Sequence, residues 1–307
     1  MKVKAVFSVT IETDDENIYT KKANALMKEI GCKAERVDDF SERYEFTVDK
    51  EDLVYEKVIK LQDEISRVFN YDEVDDLDDE IYEIIEPDIQ CSYIPEYTPE
   101  EEKEAVGYMI KNVGYEFEEK ENAEYERQCP KCKMVFQDGA YTFKKKDRLQ
   151  KLNRRKAIFT CSTGRANMFA TLPMYEYLLQ NGISKANFMP AYFGKIRKQI
   201  AGYQFWAENI LDQGIFQRGD CDVTEACSQC GKSEMIYVSG RGFQNTYLDW
   251  EKVKSWGNVN AAYEYRRGTR PLVYSVKMKE LLMNADEKLV MYPVFPLWMK
   301  ERLDGGK

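Results

Sequence analysis

The chain contains no histidine among its 307 residues. Imidazole is the side chain that most often transfers protons at neutral pH, so its absence removes most catalytic triads and most hydrolytic metal sites. The sequence also lacks the complete phosphate-cradling pattern Gly-x-x-x-x-Gly-Lys-Ser/Thr. We therefore expect a protein that is not an enzyme. An enzyme with its site in the N-terminal part of the chain remains a third alternative.

Long apolar runs are also missing. No stretch approaches the roughly 18 uncharged apolar residues that a membrane helix needs. The first residues become polar by Glu12, which argues against a signal peptide. We expect a cytoplasmic protein without a membrane partner. In the cytoplasm, eight cysteines are more often metal ligands or buried thiols than disulfides.

Positive charge is scarcer than negative charge, and the formal net charge is −9. This balance argues against indiscriminate binding of nucleic acid through the whole surface and fits a basic partner. The charges are unevenly placed, because residues 72–88 carry ten acids and no base. That segment is typical either of a solvated loop or of a surface that attracts a cationic partner.

Residues 144–156 carry eight bases and one acid. Leu149 and Leu152 are spaced for one face of a helix with the bases on its other faces, which is typical of a solvated amphipathic helix. A basic cluster beside a zinc site is also typical of nucleic-acid-binding proteins. A zinc-ribbon protein that binds nucleic acid through segment 144–156 is therefore the alternative function.

The cysteines include two Cys-x-x-Cys pairs that lie 98 residues apart. One pair at this spacing holds half of a tetrahedral zinc shell, and two pairs complete a shell of four sulfurs. A redox dithiol needs only one pair, and a catalytic zinc keeps an open position, so both alternatives fit less well. Cys221 is a possible competing ligand. The sequence predicts one structural Zn²⁺ per chain, held by Cys129, Cys132, Cys227 and Cys230.

Residues 1–97 are predicted to form a separate α/β sandwich. Hydrophobic periodicity predicts the order strand, helix, strand, helix, strand, for which a ferredoxin-like fold is a candidate. The predicted elements are the strand Val3–Ile11, the helix Asn17–Ile30, the strand Arg43–Val48, the helix Leu53–Phe69 and the strand Ile81–Ile85. Prolines then mark a domain boundary near residues 95–98.

Residues 98–307 are predicted to hold two repeats, at about 125–200 and 223–298. Thr98 and Pro99 start a predicted helix that runs to Asn112. After each Cys-x-x-Cys pair, a strand, a short helix and a strand follow, and the two copies align without a gap at an offset of 103. We predict a duplicated unit with pseudo-twofold symmetry, in which each copy supplies two cysteines of a shared zinc clasp.

The last part of the chain resembles the double-CxxC-motif immunity proteins of bacterial polymorphic-toxin systems. The resemblance is carried by the paired Cys-x-x-Cys motifs, by Gly231 after the second pair, and by the segments 271–275, 277–282 and 290–294. Lys133 departs from it, because the family has glycine after the first pair. The resemblance implies a cytoplasmic immunity protein that binds and neutralises a cognate toxin, which is expected to be basic.

Overall fold

The computed structural model describes residues 1–307 except 13–16, 39–40, 69–86, 118–125, 134, 138–139, 144–146, 162–167, 195–198, 208, 213–214, 219–220, 224, 226, 232–234, 238–244, 262–271 and 305–307. Two compact units make up the chain, Met1–Pro99 and Glu100–Lys307, where the sequence places the boundary after residue 97. Helices and mixed sheets occur in the chain, and the predicted α/β class is confirmed. Within the described part, no helix has the length and apolar character of a membrane span.

The N-terminal unit is a four-stranded antiparallel sheet with two helices. The sheet order is β2-β3-β1-β4, with β1 between β3 and β4 and antiparallel to both. This βαββαβ order is the ferredoxin-like arrangement. The elements are β1 (Lys2–Glu12), α1 (Ile18–Ile30), β2 (Ala34–Arg36), β3 (Ser41–Asp49), α2 (Leu53–Val68) and β4 (Asp88–Glu96).

The core of this unit follows from the two periodicities of its elements. Side chains alternate across a strand, and the odd-numbered residues of β1 from Ala5 to Ile11 are all buried. Asn17 caps the start of helix α1, because its side chain accepts hydrogen bonds from the N–H groups of Tyr19 and Thr20. Gly31 caps the end of the helix in the left-handed conformation. The helices contribute Ala23, Met27, Val58, Leu61 and Ile65 to the same core.

The sequence prediction missed β2 and gave other bounds for the final strand of this unit. The predicted strand Ile81–Ile85 lies outside the described residues. Strand β4 instead spans Asp88–Glu96 and includes Pro95, which lies at the predicted domain boundary. Proline is tolerated there because β4 pairs with β1 only, in the sheet as described, and so needs no second row of ladder bonds.

The second unit contains two larger sheets and two hairpins. Its strands are β5 (Gly107–Asn112), β6 (Glu116–Phe117), β7 (Glu126–Gln128), β8 (Val135–Gln137), β9 (Thr142–Phe143), β10 (Ile158–Cys161), β11 (Met168–Ala170), β12 (Phe188–Phe193), β13 (Gln199–Phe205), β14 (Asn209–Ile210), β15 (Phe216–Arg218), β16 (Cys221–Val223), β17 (Met235–Tyr237), β18 (Thr246–Leu248), β19 (Val259–Ala261), β20 (Leu272–Tyr274) and β21 (Val290–Pro296). The helices are α3 (Pro99–Lys103), α4 (Asp147–Leu152), α5 (Leu172–Gln180), α6 (Val276–Ala285) and α7 (Lys300–Asp304), with 3-10 helices at Lys185–Asn187, Trp250–Lys252 and Leu297–Met299.

The two larger sheets are built alike. One has the order β6-β10-β11-β13-β12-β9, and the other has the order β14-β19-β20-β5-β21-β18-β15. The first six strands correspond one to one, and each neighbouring pair has the same relative direction in both sheets. These equivalences are what a duplicated unit would produce, and the duplication itself stays a prediction.

The central strands are exchanged between the two halves of this unit. In chain order, β5 is the first strand of the half that contains β5–β12, and β13 is the first strand of the half that contains β13–β21. Yet β5 pairs with β20 and β21, and β13 pairs with β11 and β12. The sheets also touch, because Phe205 lies edge-on to Tyr274 and Asp286 accepts a hydrogen bond from the Ile158 N–H. Neither half can therefore complete its own sheet alone.

The structural register corrects the gapless alignment at one point. Thr171 and Ser275 cap α5 and α6 in the same way, by accepting from the N–H groups of Met174 and Met278. This equivalence corresponds to an offset of 104, because 275 minus 171 is 104. In the following strands, Pro190 pairs with Tyr203 and Pro293 with Tyr108, which gives the expected 103. At the offset of 104 given by the capping residues, Leu178 corresponds to Leu282 and not to Leu281.

The predicted helix from Thr98 to Asn112 is wrong beyond its first turn. Helix α3 ends at Lys103, and Gly107–Asn112 forms β5. Capping residues start the helix, but Gly107 weakens its continuation. Pairing with β21 on one side and β20 on the other then decides the outcome, because tertiary context overrides local propensity.

Gly107 is the first residue of β5, which lies between β20 and β21, and its position has no room for a side chain. A Cβ atom there would lie 2.7 Å from Val273 Cγ1 and 3.1 Å from the Tyr274 carbonyl oxygen. We expect Gly107→Ala to lower the free energy of unfolding by about 1–3 kcal/mol through overpacking, measured by urea denaturation. Gly257→Ala is the control, because its nearest atom is the end of the Asn209 side chain, which can move. Equal stability of Gly107→Ala and the unmodified protein would contradict this packing.

Candidate metal centre

Each Cys-x-x-Cys pair lies in the turn of a two-stranded hairpin. Strands β7 and β8 are antiparallel and flank Cys129 and Cys132, whereas β16 and β17 are antiparallel and flank Cys227 and Cys230. Short antiparallel strands that present a Cys-x-x-Cys turn are the building block of zinc ribbons. The two hairpins occupy equivalent places in the two series of strands.

The four cysteine sulfurs converge on one point. Cys129 Sγ lies 4.0 Å from Cys227 Sγ, and Cys132 Sγ lies 3.6 Å from Cys230 Sγ. All four sulfurs lie within 4.8 Å of one another. A tetrahedron with Zn–S bonds of about 2.3 Å has S–S edges of about 3.8 Å. The arrangement therefore fits one tetrahedral metal ion, and the residues that the sequence predicts as ligands are brought together.

The two turns have the same backbone geometry. The N–H of Lys133 donates to the Cys129 carbonyl at 2.9 Å, and the N–H of Gly231 donates to the Cys227 carbonyl at 2.7 Å. Both residues have positive φ angles, 59° for Lys133 and 68° for Gly231. The left-handed conformation that glycine adopts freely is thus kept at Lys133, where the resemblance expects glycine.

Backbone N–H groups around the turns favour thiolates. The N–H of Cys132, and more weakly that of Lys131, lowers the pKa of Cys129. The N–H groups of Cys230 and Gln229 lower the pKa of Cys227 to about 6. Burial and the three other sulfurs raise the pKa of Cys230 to about 12. The cluster therefore favours the thiolate forms of Cys129 and Cys227 but disfavours that of Cys230. Four thiolates at this separation require a cation to balance their charge.

The arrangement supports a structural ion better than a catalytic one. Four sulfurs fill a tetrahedral shell and leave no position for water or substrate, whereas catalytic zinc keeps one position open. A contact between the turns adds to the sulfur cluster, because Lys131 Nζ donates to Ser228 Oγ at 2.5 Å. Nothing in the spacing of the sequence pointed to this polar contact.

We expect Lys133→Gly to stabilise the zinc-loaded protein. Lys133 occupies the left-handed region at a cost of about 1–2 kcal/mol, part of which is offset by the greater flexibility of glycine in the unfolded chain. The expected net gain is about 0.5–1 kcal/mol, measured as a higher thermal midpoint. Gly231→Lys is the mirror substitution, and we expect it to lower the midpoint by a similar amount. A Lys133→Gly protein that is less stable would contradict this account.

The remaining cysteines do not join the cluster in the described part of the chain. The side chains of Cys161 and Cys221 lie outside the described residues, so Cys221 as a competing ligand stays a prediction. Cys32 and Cys91 are only partly buried, and burial raises the pKa of each thiol.

The part of the basic segment that spans Asp147–Leu152 forms a surface helix, α4, as its spacing predicts. Leu149 and Leu152 are buried on one face of α4. The exposed bases described here are Arg148, Lys151, Arg154, Arg155 and Lys156. Lys144–Lys146 lie outside the described residues, as does the acidic segment 72–88 apart from Pro87 and Asp88. Lys156 lies over the Tyr177 ring and Arg148 over the Phe117 ring, so two of these cations already have aromatic partners.

Comparisons of the chain with protein-family models, with curated proteins and with solved structures found no match.

Proposed function

We propose that this chain is a protein-binding scaffold held by one structural Zn²⁺ and that it neutralises a cognate bacterial toxin as an immunity protein. The proposal of a zinc-held scaffold is supported by the cluster of four cysteine sulfurs, which all lie within 4.8 Å of one another. Cys129 and Cys132 would hold the ion from one hairpin, and Cys227 and Cys230 from the other. The ion would supply cross-linking and no chemistry, because its shell is complete.

The composition supports a protein without enzymatic activity. The chain has no histidine to act as a general base near neutral pH. The chain's net charge of −9 suits the capture of a basic partner, because opposite charge speeds association. The resemblance to double-CxxC-motif immunity proteins implies that this partner is a toxin. The same resemblance implies a cytoplasmic location.

Binding of nucleic acid through segment 144–156 is the competing function. The exposed bases in and after α4 favour it, but the buried Leu149 and Leu152 also make this helix an ordinary surface element. A polyanion bound through several lysines and arginines would show a steep loss of affinity with salt. Salt dependence therefore separates the two functions.

The test is co-purification of the full-length tagged protein from its source cell at physiological salt. We expect a basic protein in equimolar amount, whose toxicity on separate expression is relieved by expression of this chain. A nuclease-sensitive complex that contains no protein partner would instead support the nucleic-acid alternative and overturn the proposal.

A further inference from the structure

One end of the seven-stranded sheet carries exposed tryptophans. Strands β18 and β21 are parallel, with Leu248 opposite Pro296, so both strands end at the same edge. A 3-10 helix follows each strand and places Trp250 and Trp298 two residues beyond this pair. The two side chains are 40% and 63% exposed. Exposed tryptophans at neighbouring positions are unusual on a surface that has no binding role.

Trp256 packs between Trp250 and the core of the second unit. Its ring lies edge-on to that of Trp250, with centroids 5.0 Å apart. Trp256 is partly buried against the core cluster that contains Val273 and Val294, and its Cζ2 lies 3.0 Å from where a Cβ of Gly107 would be. Trp250 is therefore backed by a ring that the core fixes. We refer to Trp250, Trp256 and Trp298 as the tryptophan surface.

The cations of this protein lie over other rings. In the described part of the chain, seven lysine or arginine side chains lie 4.2–5.9 Å from the centroids of tyrosine or phenylalanine rings, and none lies over the tryptophan surface. Tryptophan is nevertheless the best aromatic partner for a cation. The nearby Lys252 and Lys254 instead pair with Asp249 and Asp212. Within the described residues, no cation of the chain covers these exposed rings, so they are accessible to cations of a partner.

We infer that the tryptophan surface is the docking site of a basic partner protein, whose arginine or lysine side chains stack on Trp250 and Trp298. This inference rests on the proposed function and adds the surface at which the partner binds. The chain's net charge of −9 is complementary to such a partner. Tryptophans that become buried in a protein interface are among the residues that contribute most to its binding energy. The planar guanidinium of arginine stacks well on their rings.

The test uses the full-length chain and a 12-residue peptide of alternating arginine and serine. The indole N–H signals of the protein are followed by NMR and assigned with Trp250→Phe and Trp298→Phe. We expect the signals of both residues to shift on titration. We expect the double variant Trp250→Ala/Trp298→Ala to bind the peptide at least about fivefold more weakly. A peptide with citrulline in place of arginine keeps the shape without the charge, and it should bind at least about tenfold more weakly.

The control is Leu53→Ala, which removes an exposed apolar side chain, 72% exposed, from the N-terminal unit and should leave affinity unchanged. Equal affinity of the double variant and the unmodified protein, or equal binding of the citrulline peptide, would overturn the inference. The co-purified partner separates the two proposals. A partner retained equally by the double variant overturns only the docking site, whereas no partner on the unmodified protein overturns the proposed function.

Discussion

Cys227→Ser is expected to release the metal and to loosen both hairpins, although it alters only one of them. The substitution removes one of the four sulfur ligands that the two hairpins share. Zinc affinity should therefore fall at least about 100-fold, because these four sulfurs form the whole binding site. Hydrogen exchange measured by mass spectrometry reports on each hairpin separately. We expect amides of β7 and β8, about a hundred residues from the substitution, to exchange at least about tenfold faster, as those of β16 and β17 do.

Cys91→Ser is the matched control, because Cys91 lies in the N-terminal unit outside the sulfur cluster. It should change neither zinc content nor exchange in the hairpins. Faster exchange in β16 and β17 alone, with β7 and β8 unaffected, would show that each hairpin is stable by itself and that no ion is shared.

Phe159→Ala is expected to destabilise the second unit by about 3–5 kcal/mol. Phe159 is fully buried on β10, stacks on Phe169 at 5.2 Å and lies edge-on to Phe117 at 5.5 Å. Phe143 also contacts it, with centroids 5.9 Å apart. Truncation removes these ring contacts and leaves a cavity that the surrounding strands cannot close. Urea denaturation, followed by aromatic circular dichroism, measures the loss.

Phe159→Leu keeps most of the volume and should cost less than half as much as Phe159→Ala. Val276→Ala, at a largely exposed position on α6, should stay within about 0.5 kcal/mol of the unmodified protein. A loss below about 1 kcal/mol for Phe159→Ala would contradict the central place of this ring in the core.

Local signals in the sequence predicted some of the elements but not their pairing partners. The strand, helix and strand around Met174 and the second set around Met278 were predicted, because capping residues and apolar periodicity are local. β5 was predicted as helix, because the pairing that makes it a strand comes from β20 and β21, more than 160 residues away. The exchange of β5 and β13 is non-local for the same reason, and no local pattern indicates it.

The cysteine cluster was predictable because the chemistry of a four-sulfur metal site depends on few residues. Two Cys-x-x-Cys pairs in a chain without histidine favour one four-sulfur set, and Cys129, Cys132, Cys227 and Cys230 do lie together. The tryptophan surface was not predictable from spacing. Trp250 and Trp298 lie 48 residues apart, and only the parallel pairing of β18 and β21 brings them to one edge.

The strand exchange changes what the ion is needed for. The sequence predicts that the zinc ties the two halves together. The structure adds a second link, because each large sheet has a central strand from the other half. We therefore expect metal removal to loosen the hairpins while the two sheets keep their protection from hydrogen exchange.

The most direct test of the shared zinc is the metal content and X-ray absorption spectrum of the purified full-length protein. We predict one zinc per chain, surrounded by four sulfurs at about 2.3 Å. Two zinc ions per chain, or a first shell with nitrogen or oxygen donors, would contradict the single tetrathiolate ion that joins the two hairpins.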